Sequence, residues 1–383
     1  MSMKPTRRLS RLIVPGAIGV LLAATGCAGP SAGDSDAVQV GLLANLSGPA
    51  ATSFGVPFQH GFELALQQAK AAFDDADVKV EIQTQDAKSE VTSAVTGYNK
   101  LRQAGAPIVI NDSQSPLGQA VAPLANDDKI AFLSGAGSEL ENKDGFAFRF
   151  TDLGTPTTAM GQYLSEHGAK RVGVIVASDN PSFATLADTT EKGLPGGFDS
   201  RQEVASTDTD FSAVLANLRD DDVDAVVLSV LPAQAGNLML QMDQSGGFDD
   251  VIRAGTVAIS SETYTVAEDA ADDFVFPQVW APGMQGGSSF EKAYADKYDE
   301  SPTAYSALGY QVGWTVAAAI LAADEDGDVD GASLRDAIPA ASTSDLVAEH
   351  SILSLELTKD GAAVSEGVMA SFADDGSMQV AGN

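Results

Sequence analysis

Two stretches, Ile108-Val-Ile-Asn-Asp-Ser-Gln-Ser-Pro-Leu-Gly118 and its echo Ile130-Ala-Phe-Leu-Ser-Gly-Ala-Gly-Ser138, are short apolar runs that end in small, hydroxyl-bearing residues. Ser115 followed by Pro116 predicts a helix start, with Ser as the N-cap and Pro at the first helical position. A strand that ends in Ser and Gly at a helix start presents backbone N–H groups and hydroxyls, which suit an anion such as a carboxylate. On these residues alone, a helix cap and a turn are the favoured interpretation.

Strand-like and helix-like segments alternate on both sides of these stretches, over residues 38–280. Continuous apolar runs, such as those at residues 172–177 and 225–230, are typical of parallel strands that are buried on both faces. The alternation restarts near Thr155, so the sequence predicts an α/β fold with two doubly wound parallel-sheet lobes. In such folds ligands bind beyond the carboxyl ends of the strands, where the Ser- and Gly-rich turns lie.

The N-terminus has the pattern of an export signal. Four basic residues precede an apolar run at residues 12–24, which is too short for a membrane span. The run ends in Ala24-Thr-Gly-Cys27, which resembles the bacterial lipoprotein signal, in which the cysteine is lipidated and becomes the new N-terminus. We therefore expect a signal peptide at residues 1–26, a lipid-anchored tether at residues 27–37 and a location on the outer face of the cell membrane. A plain secretory signal beside a chance cysteine is the alternative.

The charge balance excludes one class of partner. The chain has 22 Lys and Arg against 53 Asp and Glu, a formal net charge of −31. Such a chain is repelled by nucleic acid and by anionic lipid surfaces, so we expect neither as a partner beyond the lipid anchor itself. The acids are scattered along the chain and do not indicate a ligand.

The sequence contains no motif for catalysis. Its three histidines, His60, His167 and His350, form no recognisable catalytic constellation, and no Walker or dinucleotide-binding glycine motif is present. We expect no enzyme activity and no cofactor. In the acidic loop, Asp326, Asp328 and Asp330 have the spacing of a Ca²⁺ loop, but the Glu required at its last position is missing. A solvated turn is favoured there, and a weak Ca²⁺ site stays open.

Gly41-Leu-Leu-Ala-Asn-Leu-Ser-Gly-Pro-Ala-Ala-Thr-Ser-Phe-Gly55 resembles the start of mature branched-chain amino acid (Leu/Ile/Val-type) substrate-binding proteins of ABC transporters. These proteins have the type I periplasmic-binding-protein fold. Phe148-Arg-Phe150 and Lys170-Arg-Val-Gly-Val-Ile-Val176 resemble further family stretches. The resemblance covers residues 38 to about 380.

The resemblance implies two lobes that are joined by three crossovers and clamp a ligand by hinge closure. Lobe 1 would comprise residues 38–153 and 281–340, and lobe 2 residues 154–280 and 341–383. The crossovers are expected near residue 154, at 277–282 and at 340–349.

The resemblance also implies roles for single residues. Ser115 matches a serine whose hydroxyl binds the ligand carboxylate. Ala136, beside Gly137, matches a backbone carbonyl that accepts from the ligand ammonium, and Ser138 matches a hydroxyl that contacts the ligand. Phe54 matches an aromatic residue that covers the ligand side chain.

In lobe 2 the sequence departs from the family pattern. The position of a family tyrosine falls near Ser182 or Phe183, so only an aromatic ring remains. The family has an acid in the turn after the strand near residue 255, and Glu262 is the nearest acid here. The resemblance implies a monomeric solute-binding protein that delivers an amino-acid-like or carboxylate-bearing ligand to ABC permease subunits. A ligand sensor for a membrane receptor and a binder of amides or other small polar solutes are the alternatives.

Overall fold

The computed structural model describes residues 37–48, 50–112, 114–284 and 286–382. The predicted signal peptide, Cys27 and the tether up to residue 36 lie outside the described residues. The described chain alternates strands and helices, as the apolar pattern predicts.

The strands are β1 (Val38–Ala44), β2 (Val80–Asp86), β3 (Ile108–Asn111), β4 (Ala131–Ser134), β5 (Ala147–Arg149), β6 (Val172–Ala177), β7 (Ser200–Val204), β8 (Ala225–Ser229), β9 (Ile252–Gly255), β10 (Phe276–Gln278), β11 (Glu356–Leu357), β12 (Ala363–Val364), β13 (Val368–Phe372) and β14 (Met378–Val380). The helices are α1 (Val56–Gln68), α2 (Lys70–Asp75), α3 (Val91–Gln103), α4 (Ser115–Asp128), α5 (Gly154–Glu166), α6 (Pro181–Glu191), α7 (Ser212–Asp220), α8 (Pro232–Ser245), α9 (Ser261–Ala267), α10 (Gly287–Tyr298), α11 (Ala304–Glu325), α12 (Gly331–Ala341) and α13 (Asp345–His350).

Two parallel sheets organise the chain. The first has the strand order β2-β1-β3-β4-β5 and the second β7-β6-β8-β9. Every pair of neighbours within them is parallel; for example, Leu42 of β1 pairs with Ile110 of β3. The buried strands β3, β4, β6 and β8 show no exposed face, which explains their continuous apolar sequences. The predicted α/β fold with two parallel sheets is confirmed.

Each sheet has its own apolar core. The first core includes Leu42, Phe58 and Leu133, and the second includes Val174 and Leu228. The chain contributes to the first core up to Phe150, to the second over residues 160–276, to the first again over 279–363 apart from Ala281, which packs in the second core, and finally to the second at Ala370. It therefore passes between the two cores three times.

The third passage between the cores lies later in the chain than the predicted crossover at residues 340–349. Val347, Leu353, Leu357 and Ala363 are all buried in the first core. Residues 341–363 thus pack with the first sheet, where the sequence analysis had assigned them to lobe 2. The physical reason is that the apolar side chains of residues 352–357 are buried in the first core, to which α11 and α12 also contribute.

Helix α11 is the central helix of the first core. It is long and apolar enough to resemble a membrane span, but 89% of its most apolar window is buried inside the protein. Its backbone touches that of α1, since a Cβ atom at Gly309 would overlap with the carbonyl oxygen of Phe58, and one at Gly61 with that of Ser306. Only glycine allows two helices to approach this closely.

We expect Gly309→Ala to destabilise the protein by about 1–3 kcal/mol, because the added methyl group must push α11 away from α1. Urea unfolding followed by circular dichroism measures the change. Gly196→Ala is the matched control, because a Cβ atom there meets nothing within 4 Å. Equal unfolding midpoints for the two variants would contradict the close packing of α1 and α11.

Candidate functional site

A cavity of about 310 Å³ lies beyond the carboxyl ends of strands from both sheets. Its walls come from the turns after β3, β4, β5 and β9, from β10 and from the first turns of α11. The lining residues are Phe54, Gln114, Ser115, Gly135, Gly137, Thr151, Leu153, Val257, Gln278, Val279, Ala304, Tyr305 and Leu308. The cavity is thus located where a doubly wound α/β fold is expected to bind ligands. Its size suits a small molecule.

Ser115 lies at the cavity, but it does not cap a helix as predicted. It is the first residue of α4, and Gln114 precedes the helix with φ 64° and ψ 103° and no side-chain cap bond. The Ser115 Oγ atom instead accepts a hydrogen bond of 3.0 Å from the backbone N–H of Ser138. The N-cap prediction is wrong because the chain turns one residue earlier than the Ser-Pro pair indicates. The hydroxyl proton of Ser115 is left to donate.

The turn after β4 brings three of the predicted residues to different positions. Gly137 lines the cavity, and its carbonyl oxygen accepts a bond of 3.1 Å from Arg149 Nη1. Ala136 is fully buried, with its N–H directed to Ser134 Oγ at 3.3 Å. Ser138 is exposed and contacts Ser115 through its backbone. Of this turn's three predicted residues, only Gly137 forms part of the cavity wall.

An aromatic pair closes one side of the cavity. The Phe54 ring meets the Tyr305 ring edge-on, with centroids 4.5 Å apart and planes at 85°. Burial, and then the negative charge of Asp112, raise the pKa of Tyr305 to about 12. The phenol is therefore neutral at physiological pH and can donate its proton. Phe54 had been predicted from the sequence, whereas Tyr305 had not.

The two residues predicted for lobe 2 lie away from the cavity wall. Phe183 is only 6% exposed and packs in the second core, where its carbonyl oxygen accepts a bond of 2.7 Å from Ser229 Oγ. Glu262 is exposed in the first turn of α9, and its N–H is directed to Ser260 Oγ at 3.3 Å. Val257 is the residue of the turn after β9 that lines the cavity.

Gln278 connects this turn to β10. It is 9% exposed, lines the cavity, and donates from Nε2 to the carbonyl oxygen of Ile259 at 3.0 Å. The bond fixes the turn that carries Val257 relative to the strand that leads back to the first core. Gln278 thus acts at a point where the chain passes between the two cores.

A buried polar cluster supports the wall from behind. Asp112 is 1% exposed and accepts bonds of 2.9 and 3.1 Å from Asn45 Nδ2. The Asn45 side chain in turn accepts from the backbone N–H of Ser89 at 2.7 Å. These bonds join the ends of β1, β2 and β3 beneath the loop that carries Phe54.

The residues that the sequence analysis missed differ in how they could have been found. Gln114, Thr151 and Val257 lie within three residues of a strand end, so the rule that places ligands there would have included them. Tyr305 and Gln278 carry no local signal, because only the tertiary fold brings them to the cavity.

The histidines and the acidic loop have local structural contacts. The His60, His167 and His350 rings stack on Tyr298, Tyr163 and Trp314, with centroids 3.9, 3.8 and 3.7 Å apart. Asp330 caps α12 by accepting from the backbone N–H groups of Ala332 and Ser333, both at 2.8 Å. Within the described ranges, no cluster of three or more His, Cys, Asp or Glu residues could hold a metal ion.

Comparisons with known proteins agree with this architecture. Residues 37–377 match the periplasmic binding protein family. The Leu/Ile/Val-binding protein homolog 1 of Brucella abortus is 27% identical over 315 residues, which cover 80% of this chain and 83% of that protein.

Two solved structures show the same fold. The branched-chain amino acid transporter substrate-binding protein LivJ of Streptococcus pneumoniae, in complex with isoleucine, superposes with a TM-score of 0.70 at 22% identity, covering 90% of this chain and 98% of that one. A putative branched-chain amino acid ABC transporter protein from Rhodospirillum rubrum gives a TM-score of 0.73 at 19% identity, covering 90% and 99%. With the family match spanning nearly all of the described residues, the chain belongs to the periplasmic binding protein family.

Proposed function

We propose that this protein is an extracytoplasmic solute-binding lipoprotein of an ABC importer. It binds a small amino-acid-like or carboxylate-bearing ligand in the cavity between its two lobes and presents it to the permease. The observation that carries this proposal is a single cavity whose wall combines turns of both parallel sheets. A ligand that touches both sheets stabilises the arrangement in which they are close together.

The positions of the junctions between the lobes support the proposed hinge closure. Leu153, Gln278 and Val279 belong to or flank the segments that pass between the cores, and all three line the cavity. With the packing taken into account, we assign residues 38–153 and 279–363 to lobe 1, and residues 154–278 and 364–382 to lobe 2. A few residues at such junctions can absorb the backbone rotation of domain closure.

Ser115 is the central ligand contact in lobe 1. It lines the same cavity as Gly135 and Gly137. Phe54 covers the apolar part of the ligand together with Tyr305. Ser138 and Ala136 support the wall through the backbone, and closure of lobe 2 brings the turn around Val257 onto the ligand.

The anchoring chemistry completes the proposal. Lipidation of Cys27 would hold the protein on the outer face of the cell membrane, and the Gly- and Ser-rich tether would leave the lobes free to reach the permease. The net charge of −31 keeps the protein soluble and monomeric near an anionic membrane surface.

We expect Ser115→Ala to weaken ligand binding by roughly 10- to 150-fold, because a hydrogen bond to a charged group is worth about 1.5–3 kcal/mol. A thermal-shift panel of amino acids, organic acids and amides first identifies the ligand, since binding raises the unfolding temperature. Calorimetry then gives Kd for each variant. Ser93→Ala on α3, whose hydroxyl contacts Glu90, is the control. An unchanged Kd for Ser115→Ala would refute the assignment of this hydroxyl.

Fatty-acid labelling tests the anchor. We expect the wild-type chain, expressed in a bacterium that processes lipoproteins, to incorporate labelled palmitate, and Cys27→Ser to incorporate none, because the thiol is the attachment point. Ser31→Ala in the same tether is the matched control and should remain labelled. A wild-type chain without label would show that the N-terminus is a plain secretory signal.

A further inference from the structure

The wall of the cavity contains no charged side chain among the described residues. Its polar side chains are the hydroxyls of Ser115, Thr151 and Tyr305 and the amides of Gln114 and Gln278. The Ser115 oxygen already accepts from Ser138, and the Tyr305 phenol stays protonated, so both hydroxyls are available as donors. Convergent hydroxyl donors suit a head group made of acceptors, such as a carboxylate.

Among the described residues, one charged side chain forms a hydrogen bond with a residue that lines the cavity, and its charge is positive. Arg149 Nη1 donates to the carbonyl oxygen of Gly137 at 3.1 Å. This bond occupies one of the two lone pairs of that carbonyl oxygen. It also holds a guanidinium beside the wall, which attracts an anion and repels a cation.

The nearby carboxylates already accept hydrogen bonds from the protein. Asp152 follows Thr151, but it accepts from Gly154 N–H at 2.8 Å, from Thr155 Oγ1 at 2.6 Å and from Ser365 N–H at 3.3 Å. Asp112 is 1% exposed and accepts from Asn45. A ligand ammonium has three donors and no acceptor, and burying it without an acid is costly.

The contribution of the second sheet is apolar. Val257 lines the cavity from the turn after β9, and the bond from Gln278 to Ile259 holds that turn in place. With Phe54, Leu153 and Leu308, it forms apolar walls around the space next to the hydroxyl donors.

We propose that the ligand is a small organic acid with an apolar body and no ammonium group, so that the cavity selects against amino acids. This inference rests on the proposed function and narrows its ligand class. It follows from the hydroxyl donors in the cavity wall, the Arg149 guanidinium, the engaged acids and the apolar Val257 turn. A cavity of about 310 Å³ limits the body to the size of a short branched chain or one aromatic ring.

Matched pairs of compounds that differ only in the ammonium group test the proposal on the purified protein. The pairs are valine with 3-methylbutanoate, leucine with 4-methylpentanoate, and phenylalanine with 3-phenylpropanoate; 4-methylpentanamide and 3-phenylpropanamide remove the negative charge. We expect at least one acid to bind at least about tenfold more tightly than its amino acid and its amide, as measured by calorimetry.

The outcomes are distinguishable. If an amino acid binds as tightly as its acid or more tightly, the ammonium-free class is wrong while the solute-binding proposal stands. If an amide binds more tightly than its acid, the cavity selects neutral solutes and the inference of an acid is overturned. If no compound binds, both the inference and the proposed carboxylate-bearing ligand class fail.

A variant in the second sheet provides a gain-of-function test. Val257→Glu places a carboxylate in the turn that faces the ligand, and we expect it to shift the preference towards the amino acid of the pair by at least about tenfold. Val257→Gln is the neutral control of similar size and should leave the ratio unchanged. If Val257→Glu also leaves the ratio unchanged, Val257 does not face the head group and the assignment of the turn is wrong.

Discussion

The backbone contact between α1 and α11 is the packing interaction on which the cavity depends. Helix α11 follows the second sheet in sequence yet fills the first core, so the chain has to cross back before it can form. Its start is fixed by the capping box of Thr303 and Ser306. The same turn brings Tyr305 against Phe54, which directly precedes α1. Close helix packing, made possible by Gly61 and Gly309, therefore also builds the aromatic wall.

Hydrogen bonds between neighbouring turns hold the wall in shape without a ligand. The hydrogen bond from Ser138 to Ser115 joins the turns after β4 and β3. The bond from Arg149, the last residue of β5, to Gly137 joins β5 to the turn after β4. The bond from Gln278 to Ile259 joins β10 to the turn after β9. The first two bonds each span one step across the first parallel sheet, where strand ends lie side by side. Groups fixed in this way lose little entropy on binding, so more of the contact energy appears as affinity.

Sequence reasoning succeeded where one segment decides the outcome. Apolar runs predicted the buried strands. Ser115, which the helix start indicated, and Gly137 and Phe54, which the family resemblance implied, all line the cavity, and their contact with a ligand stays a prediction. Sequence reasoning failed to predict lining residues where the direction of a side chain depends on its position around a helix. Phe183 is the third residue of α6 and turns into the second core, while Glu262 in the first turn of α9 turns to solvent. Tyr305 and Gln278 could not be predicted, because segments far apart in sequence bring them to the cavity.

An anionic ligand is compatible with a chain whose net charge is −31, because most of the acidic side chains act at a distance from the cavity, whereas the ligand is affected mainly by the groups beside it. At physiological ionic strength the Debye length is about 8 Å, so exposed acids far from the cavity contribute little inside it. Nearby groups decide the local field: the Arg149 guanidinium is bonded to the wall, and the negative charge of Asp112, which accepts hydrogen bonds from the Asn45 amide, acts on Tyr305. For the proposed anionic ligand, the acidic surface would therefore govern how quickly it arrives, and the hydroxyls and the guanidinium would govern how tightly it is held.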